Sequence, residues 1–306
     1  MTSESYPDAL RDLALGDDRF VVLTAENRAA IRGLPQVLGE RFVDVGIAEQ
    51  TLVGAASGLA LRGRIPVAHG LASFLTMRAF EFIRTDVGVG DLPVKLVGSI
   101  AGVLSEANGP THQALEDVAL MRMIPNMGVF CPADEEDLLL GLESVLHAPQ
   151  PFYIRLNTFP ATYAHDRQFS IGRAELVLDG SDVAILTYGT LFGEALRAAR
   201  LLESDGLSVW LTNLRTLKPI DERAVLEAAA AGRLVVTVED HFTQGGLYSA
   251  VAEILLARRQ PSRVLPVSFH ERWFAPALYE QVIENEGLTG AHLADRIRHA
   301  FFNPED

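Results

Sequence analysis

Cysteine is almost absent from this sequence. One residue, Cys131, stands among 306, which excludes an internal disulfide and any zinc or iron–sulfur centre held by several thiolates, as suits a reducing compartment. Positive charge is scarce as well: 26 Lys and Arg against 40 Asp and Glu leave a formal charge of −14. Such an acidic surface repels phosphate backbones and anionic lipid, which argues against nucleic-acid and membrane partners. Long apolar runs are missing too. The longest stretch free of Asp, Glu, Lys and Arg is Ile65–Met77, thirteen residues, against roughly 20 for a bilayer span. The segment Met1–Asp12 is polar and acidic, unlike a secretory signal. With 48% hydrophobic and 22% charged residues, the chain has the make-up of a folded globular protein. Its length suits two domains of about 100–200 residues. A cytoplasmic two-domain protein is the expectation.

Several chemistry-bearing motifs are also lacking. Gly88-Val89-Gly90-Asp91 stops short of a dinucleotide-binding glycine pattern and precedes a strand rather than following one. No Walker lysine loop, His-Glu-x-x-His zinc motif or Gly-x-Ser-x-Gly nucleophile elbow occurs. Neither nucleotide phosphates nor a metal are therefore expected on this chain alone.

What is present is alternation. Short β-branched runs at Phe20–Thr24, Phe42–Val45, Ile65–Ala68, Val94–Ile100, Met127–Cys131 and Phe152–Leu156 alternate with helix-like stretches at Ala48–Leu61, Ser73–Val87, Leu115–Ile124 and Glu135–His147. Several of these strands are apolar on both parities, the mark of a mostly parallel sheet covered on both faces. The pattern lapses over Asn157–Asp182, where Pro160, Gly172 and Gly180 mark a linker. It then resumes with strands at Val183–Thr187, Ser208–Thr212, Leu234–Val238 and Val264–Ser268, separated by helices, and a final helix at Leu293–Phe301. The expected fold is α/β, with two three-layer domains at 1–157 and 182–306 joined by a linker at 158–181.

Open α/β sheets place ligands beyond the carboxyl ends of their strands, and a few polar residues fall there. Glu49 follows the strand Phe42–Val45 at a helix start, where spacing alone reads it as a surface carboxylate favoured by the helix dipole. His112 lies in the turn-rich Asn108-Gly109-Pro110-Thr111-His112-Gln113 and reads equally as a surface histidine or a ligand-facing one. Arg155 sits inside the apolar strand Phe152–Leu156, where an unpaired guanidinium is costly; either a structural ion pair or a bound anion answers that. Phe74 and Phe80 lie on a helix face, where aromatic residues usually pack into a core.

Taken together, several motifs resemble the transketolase family. Asp44-Val45-Gly46-Ile47-Ala48-Glu49-Gln50, Ala72-Ser73-Phe74-Leu75, Gly109-Pro110-Thr111-His112-Gln113 followed by Ala114-Leu115-Glu116-Asp117, Arg122-x-x-Pro125-Asn126 and Pro132-Ala133-Asp134 occur in the family's order. Thr216-Leu217-Lys218-Pro219, Val238-Glu239-Asp240-His241 and Gly245-Gly246 continue it. The resemblance covers nearly the whole chain but only part of a full transketolase: a pyrimidine-binding domain and a C-terminal domain, without the diphosphate-binding domain. It implies the second subunit of a split enzyme that uses thiamine diphosphate and Mg2+, with the Mg2+ ligands on an N-terminal-section partner. It further implies self-association into a heterotetramer.

The resemblance also assigns roles. The cofactor works by losing the C2 proton of its thiazolium to its own 4′-amino group, which becomes basic enough only when an acid meets N1′ of the pyrimidine. Glu49 matches that acid, and burial among Ile47, Ala48, Leu52 and Val53 would favour its protonated form. Phe74 is the first choice for packing on the pyrimidine and Phe80 the second, with Met77 at one of the ring-facing positions. His112 matches a histidine that faces the substrate and can donate to a developing oxyanion or shuttle a proton. Arg155 matches an arginine that grips a substrate's terminal phosphate, so the small-molecule substrate is expected to be anionic. Glu239-Asp240-His241 reads as structural or interfacial. Three positions depart from the family: Ile100 stands where a substrate-binding histidine is usual, Asn108 where a hydroxyl-recognising aspartate is usual, and Glu106 where a glycine is usual. The expected reaction is transfer of a ketol or acyl unit from a keto donor to an aldehyde-type acceptor, with altered sugar recognition. The competing readings are a deoxyxylulose-phosphate-synthase-like condensation, the β subunit of a 2-oxoacid dehydrogenase working with a lipoyl-bearing partner, and a non-catalytic regulatory subunit.

Overall fold

A computed structural model describes residues 5–303. The outer parts of the two expected domains, residues 1–4 and 304–306, lie outside them. The first half builds α1 (Tyr6–Gly16), β1 (Phe20–Thr24), α2 (Leu34–Leu38), β2 (Phe42–Asp44), α3 (Glu49–Leu61), β3 (Ile65–Leu71), the short α4 (Phe80–Phe82), β4 (Lys95–Ser99), α5 (Asp117–Met123), β5 (Gly128–Phe130), α6 (Glu135–Leu146) and β6 (Phe152–Arg155). The second builds β7 (Glu175–Leu178), β8 (Val183–Thr187), α7 (Phe192–Ser204), β9 (Val209–Asn213), β10 (Thr216–Lys218), α8 (Glu222–Ala231), β11 (Leu234–Phe242), α9 (Leu247–Ala257), β12 (Val264–Phe269), α10 (Tyr279–Asn285) and α11 (Gly290–Phe302). Among the described residues no helix is long and apolar enough to cross a membrane.

Two sheets result, ordered β10-β5-β6-β4-β3-β1-β2 and β12-β11-β8-β9-β7. Six strands of the first are parallel, and their apolar residues meet helices on both faces. Tyr6, Leu10, Leu34, Leu38, Leu138 and Leu142 from α1, α2 and α6 fill one side. Leu52, Val53, Leu75, Ile83, Val118 and Met121 fill the other. In the second sheet α7, α10 and α11 cover one face and α8 and α9 the opposite one. Both units are three-layer α/β, as the alternation implies.

Three differences from the sequence reading matter. The stretch read as a linker is not all linker: Glu175–Leu178 is an edge strand of the second sheet, antiparallel to β9. β10 leaves the second half of the chain to pair antiparallel with β5 of the first sheet, so the units are stitched by a strand as well as by the connection. The stretch read as one helix over Ser73–Val87 is broken: wide π-type turns at Phe74–Arg78 and Ile83–Gly88 flank a single α-turn. Such turns are rare and recur at functional sites because each adds a residue that re-aims its neighbours.

Candidate functional site

From β1 the chain moves to β2 on one side, then returns to β3 on the other. That reversal opens a crevice at the carboxyl ends of the strands, the usual ligand position in this architecture. The loops after β2, β3 and β4 bring Glu49, Phe74 and Ile100 to it.

Glu49 begins α3, where its charge complements the helix dipole. It also shares spacing with Leu52, Val53, Ala56 and Ala60, the buried stripe of that helix. The stripe carries the carboxylate inward, leaving Glu49 only 3% exposed. Its one side-chain hydrogen-bond partner among the described residues is Arg78, whose Nη1 donates to Glu49 Oε2 at 3.0 Å. The guanidinium of Arg78 also lies 4.3 Å from the centre of the Phe74 ring. Phe74 in turn meets His112 edge to face, ring centres 4.8 Å apart. Glu49, Arg78, Phe74 and His112 thus form a continuous chain of contacts. The imidazole Nδ1 of His112 is engaged by the Thr111 hydroxyl at 2.9 Å, which leaves Nε2 for a ligand. Next to it, the buried side-chain amide of Gln113 has no hydrogen-bond partner for either polar atom among the described residues, a cost of about 1–3 kcal/mol unless something else meets it.

The remaining expected residues separate. Phe80 packs against the core of the first unit and meets no other ring among the described residues, so of the two Phe74 is the one that meets His112. Met77 lies at the surface, 37% exposed. Ile100 sits at the end of β4 with φ at 56°, a left-handed conformation that is a marked outlier for a β-branched residue. Glu106 also has positive φ, 44°, which fits its standing where the family has glycine. Asn108 is exposed, and its amide donates to the Ser105 carbonyl at 3.3 Å. Gly102 must be glycine: at φ 60° it carries the loop against Asp240, where a Cβ would collide with the carboxylate.

Arg155 is corrected. It is 3% exposed and cannot reach a substrate phosphate, because every side of it is taken. Its Nε donates to Asp117 at 2.9 Å, Nη1 pairs with Asp240, and Nη2 donates to the Ala114 and Asp240 carbonyls at 3.3 and 3.2 Å. Asp117 also accepts from the Tyr153 hydroxyl at 2.7 Å, and Asp240 accepts from Thr190 at 2.8 Å. Of the two alternatives the strand left open, the structure shows the ion pair, and the pair ties the first sheet to β11.

A second buried network lies farther along the same junction. Arg215 pairs with Asp137 at 2.7 Å and Glu175 at 3.0 Å, while His165 bridges Asp134 at 2.9 Å and Glu175 at 2.7 Å. Burial opposes charge on His165, but the hydrogen bonds to Asp134 and Glu175 prevail and raise its pKa to about 10. Asp137, His165 and Glu175 bring ligand atoms within 4.8 Å of one another, yet Arg215 and the imidazolium already supply the positive charge a metal would bring. Glu239 is held differently: burial pushes its pKa up to about 7, against hydrogen bonds from the Leu247 and Tyr248 amides at the start of α9.

Comparison with known proteins fits this geometry. Residues 1–158 match the transketolase pyrimidine-binding domain and residues 172–293 the transketolase C-terminal domain. The chain belongs to the transketolase family. A 6-deoxy-6-sulfo-D-fructose transketolase subunit, SqwH, of Clostridium sp. (strain MSTE9) is 37% identical over 95% of this chain and 91% of its own length. A 1-deoxy-D-xylulose-5-phosphate synthase of Synechococcus sp. (strain JA-2-3B'a(2-13)) is 36% identical over 98% of this chain but 47% of its own. Among solved structures, a split-gene transketolase described as an inactive "beta4" tetramer superposes with a TM-score of 0.88 at 36% identity, covering 98% of each chain. As a transketolase-family subunit the chain is a thiamine-diphosphate-dependent transferase component with the two domains of the split form.

The site's residues fit that cofactor. Glu49 is a buried carboxylate with a single side-chain partner among the described residues, set beside an aromatic face suited to a flat, proton-accepting ring. Sequence reasoning missed two members of the cluster. Arg78 carries a signal in hindsight, a cation four residues after Phe74 in a stretch otherwise free of charge from residue 65. Gln113 carries none beyond lying next to His112.

Proposed function

We propose that this chain supplies the ring-activating half of a split ketol transferase, and that a separate diphosphate-binding subunit supplies the other half with its Mg2+ ligands. The observation that carries this is Glu49, buried at the strand-end crevice and linked through Arg78, its one side-chain partner among the described residues, to the face of Phe74. When bound, thiamine diphosphate supplies a thiazolium whose C2 proton its own amino group can remove. Glu49 holds a proton at N1′ of the pyrimidine and so makes that amino group basic. Phe74 fixes the ring plane. His112, touching Phe74 edge-on, offers Nε2 to the substrate oxygen on which negative charge develops.

The layer that bears the site also exposes Met77, Phe82, Val89 and Met123, an apolar surface suited to burial in an assembly such as a heterotetramer. The substrate is a ketose with a terminal anion, a class suggested by the relative named as a 6-deoxy-6-sulfo-D-fructose transketolase subunit and not by Arg155. Ile100 cannot hydrogen-bond a sugar hydroxyl, so the hydroxyl facing it goes unpaired in any ketose, and the choice between a sulfonated and a phosphorylated sugar rests on the terminal anion. Each unpaired buried hydroxyl costs on the order of 1–3 kcal/mol, tenfold or more in efficiency.

Reconstitution with a diphosphate-binding subunit tests the reading. Ketol transfer should require both chains, and 6-deoxy-6-sulfofructose should exceed xylulose 5-phosphate plus ribose 5-phosphate by at least about tenfold in kcat/KM. Efficient turnover of the pentose pair would remove the specificity claim. Full activity of this chain by itself would remove the split assignment. The synthase relative favours a second reading, condensation with decarboxylation; with pyruvate and an aldehyde phosphate supplied instead, release of carbon dioxide together with the condensed ketose product would establish it.

A further inference from the structure

We propose that Arg78 occupies the place of the cofactor's aminopyrimidine in the unassembled subunit, as an internal stand-in that the ring must displace. The proposal rests on the reading of Glu49 and Phe74 as the ring's seat and extends it to a residue with no role there so far. Three observations carry it.

The first is chemical likeness. A guanidinium is planar, delocalised and cationic, with N–H donors along its edge, and it stacks readily on aromatic faces. A protonated aminopyrimidine has the same features. The second is position. Arg78 donates to Glu49 Oε2 at 3.0 Å while lying 4.3 Å over Phe74, so it makes both contacts assigned to the ring, with the same two residues. A ring that meets Glu49 Oε2 and the same face of Phe74 cannot share that space with the guanidinium.

The third is lability. The Arg78 side chain is 45% exposed, whereas the carboxylate it meets is 4% exposed. Among the described residues the Arg78 side chain donates one hydrogen bond, to Glu49, where that of Arg155 donates four. The wide turn at Phe74–Arg78 gives the pair its alignment. The carboxylate therefore never waits uncompensated in its apolar stripe, and the cation that compensates it can leave for solvent when a ring arrives. Because a ligand binds in proportion to the open fraction of its site, a half-exposed ion pair with a cation–π contact should lower affinity by about tenfold.

The test uses the full chain alone and thiamine, which lacks the diphosphate, as probe. Binding is followed by ligand-observed NMR and calorimetry in wild type, Arg78→Met and Arg78→Met/Glu49→Gln. Arg78→Met should bind thiamine about tenfold more tightly than wild type, and adding Glu49→Gln should remove that gain. Equal affinity of wild type and Arg78→Met, including no binding by either, overturns the stand-in while leaving the seat itself to the assembled-enzyme assay. A gain in Arg78→Met that survives Glu49→Gln overturns the seat, and the stand-in with it. Arg78→Lys separates charge from shape: a round ammonium pairs with Glu49 but stacks less well, so its affinity should fall between the other two. A value equal to that of wild type would show that charge alone closes the site.

Discussion

Two arginines of this protein each meet a carboxylate that is nearly inaccessible to water, and the resemblance ends there. Arg155 is enclosed: Asp117, Asp240 and two carbonyls take its donors, and its side chain is 4% exposed. Arg78 is open: it gives Glu49 one hydrogen bond, covers Phe74, and leaves its side chain 45% exposed. A charge satisfied on every side inside low-dielectric protein cannot move without a large cost, so it serves architecture. A charge paired once at a solvent boundary can be exchanged for another. Saturation, more than burial of the carboxylate, separates the junction of the two units from the site.

That contrast can be broken or sharpened by stability measurements on the chain. The largest loss is expected for Arg155→Met, which strands Asp117 and Asp240 without their cation; urea unfolding should show about 3–5 kcal/mol of destabilisation. A change below about 1 kcal/mol would mean the network is not the clamp its geometry describes. The second junction network should give a smaller, pH-dependent effect. The pKa of His165 is raised from an ordinary 6.5 to about 10, so its contribution is complete below about pH 6.5 and fades as pH rises toward 10. The stability difference between wild type and His165→Gln should shrink across that window by about 1.5–3 kcal/mol, the worth of hydrogen bonds to a charged group; the subtraction cancels the opposite trend of buried Lys95, whose pKa burial lowers to about 7. A difference that grows over the same range would reverse the assigned sign. The smallest effect belongs to Arg78→Met, about 1–2 kcal/mol, because it leaves buried Glu49 without one hydrogen bond at a solvent boundary rather than dismantling a saturated network; a loss as large as that at Arg155 would erase the distinction.

The sequence shows the same division. Strands β1, β3, β4 and β8 are legible because buried parallel strands are apolar on both parities, and α3 and α6 because their stripes repeat at helical spacing. β7 and β10 are not, since a short edge strand has little pattern of its own and nothing local says which sheet it joins. Burial of Arg155 in an apolar strand announces a counter-charge without naming it. Asp117 and Asp240 lie 38 and 85 residues away, a distance only the fold spans. Glu49 is legible as to identity but not as to burial, because a first-turn glutamate and a buried acid look alike until α3 is packed. Arg78 is hidden by the wide turn: one residue more per turn changes which side chain covers Phe74 while the apolar spacing around it stays nearly helical.

The claim that Glu49 is the proton partner of the bound ring is tested most directly by hydrogen–deuterium exchange at C2 of thiamine diphosphate in the reconstituted complex. Glu49→Gln should slow exchange by about 10²–10⁴-fold with assembly and thermal unfolding unchanged. Exchange at the wild-type rate in a correctly assembled Glu49→Gln complex would contradict the account.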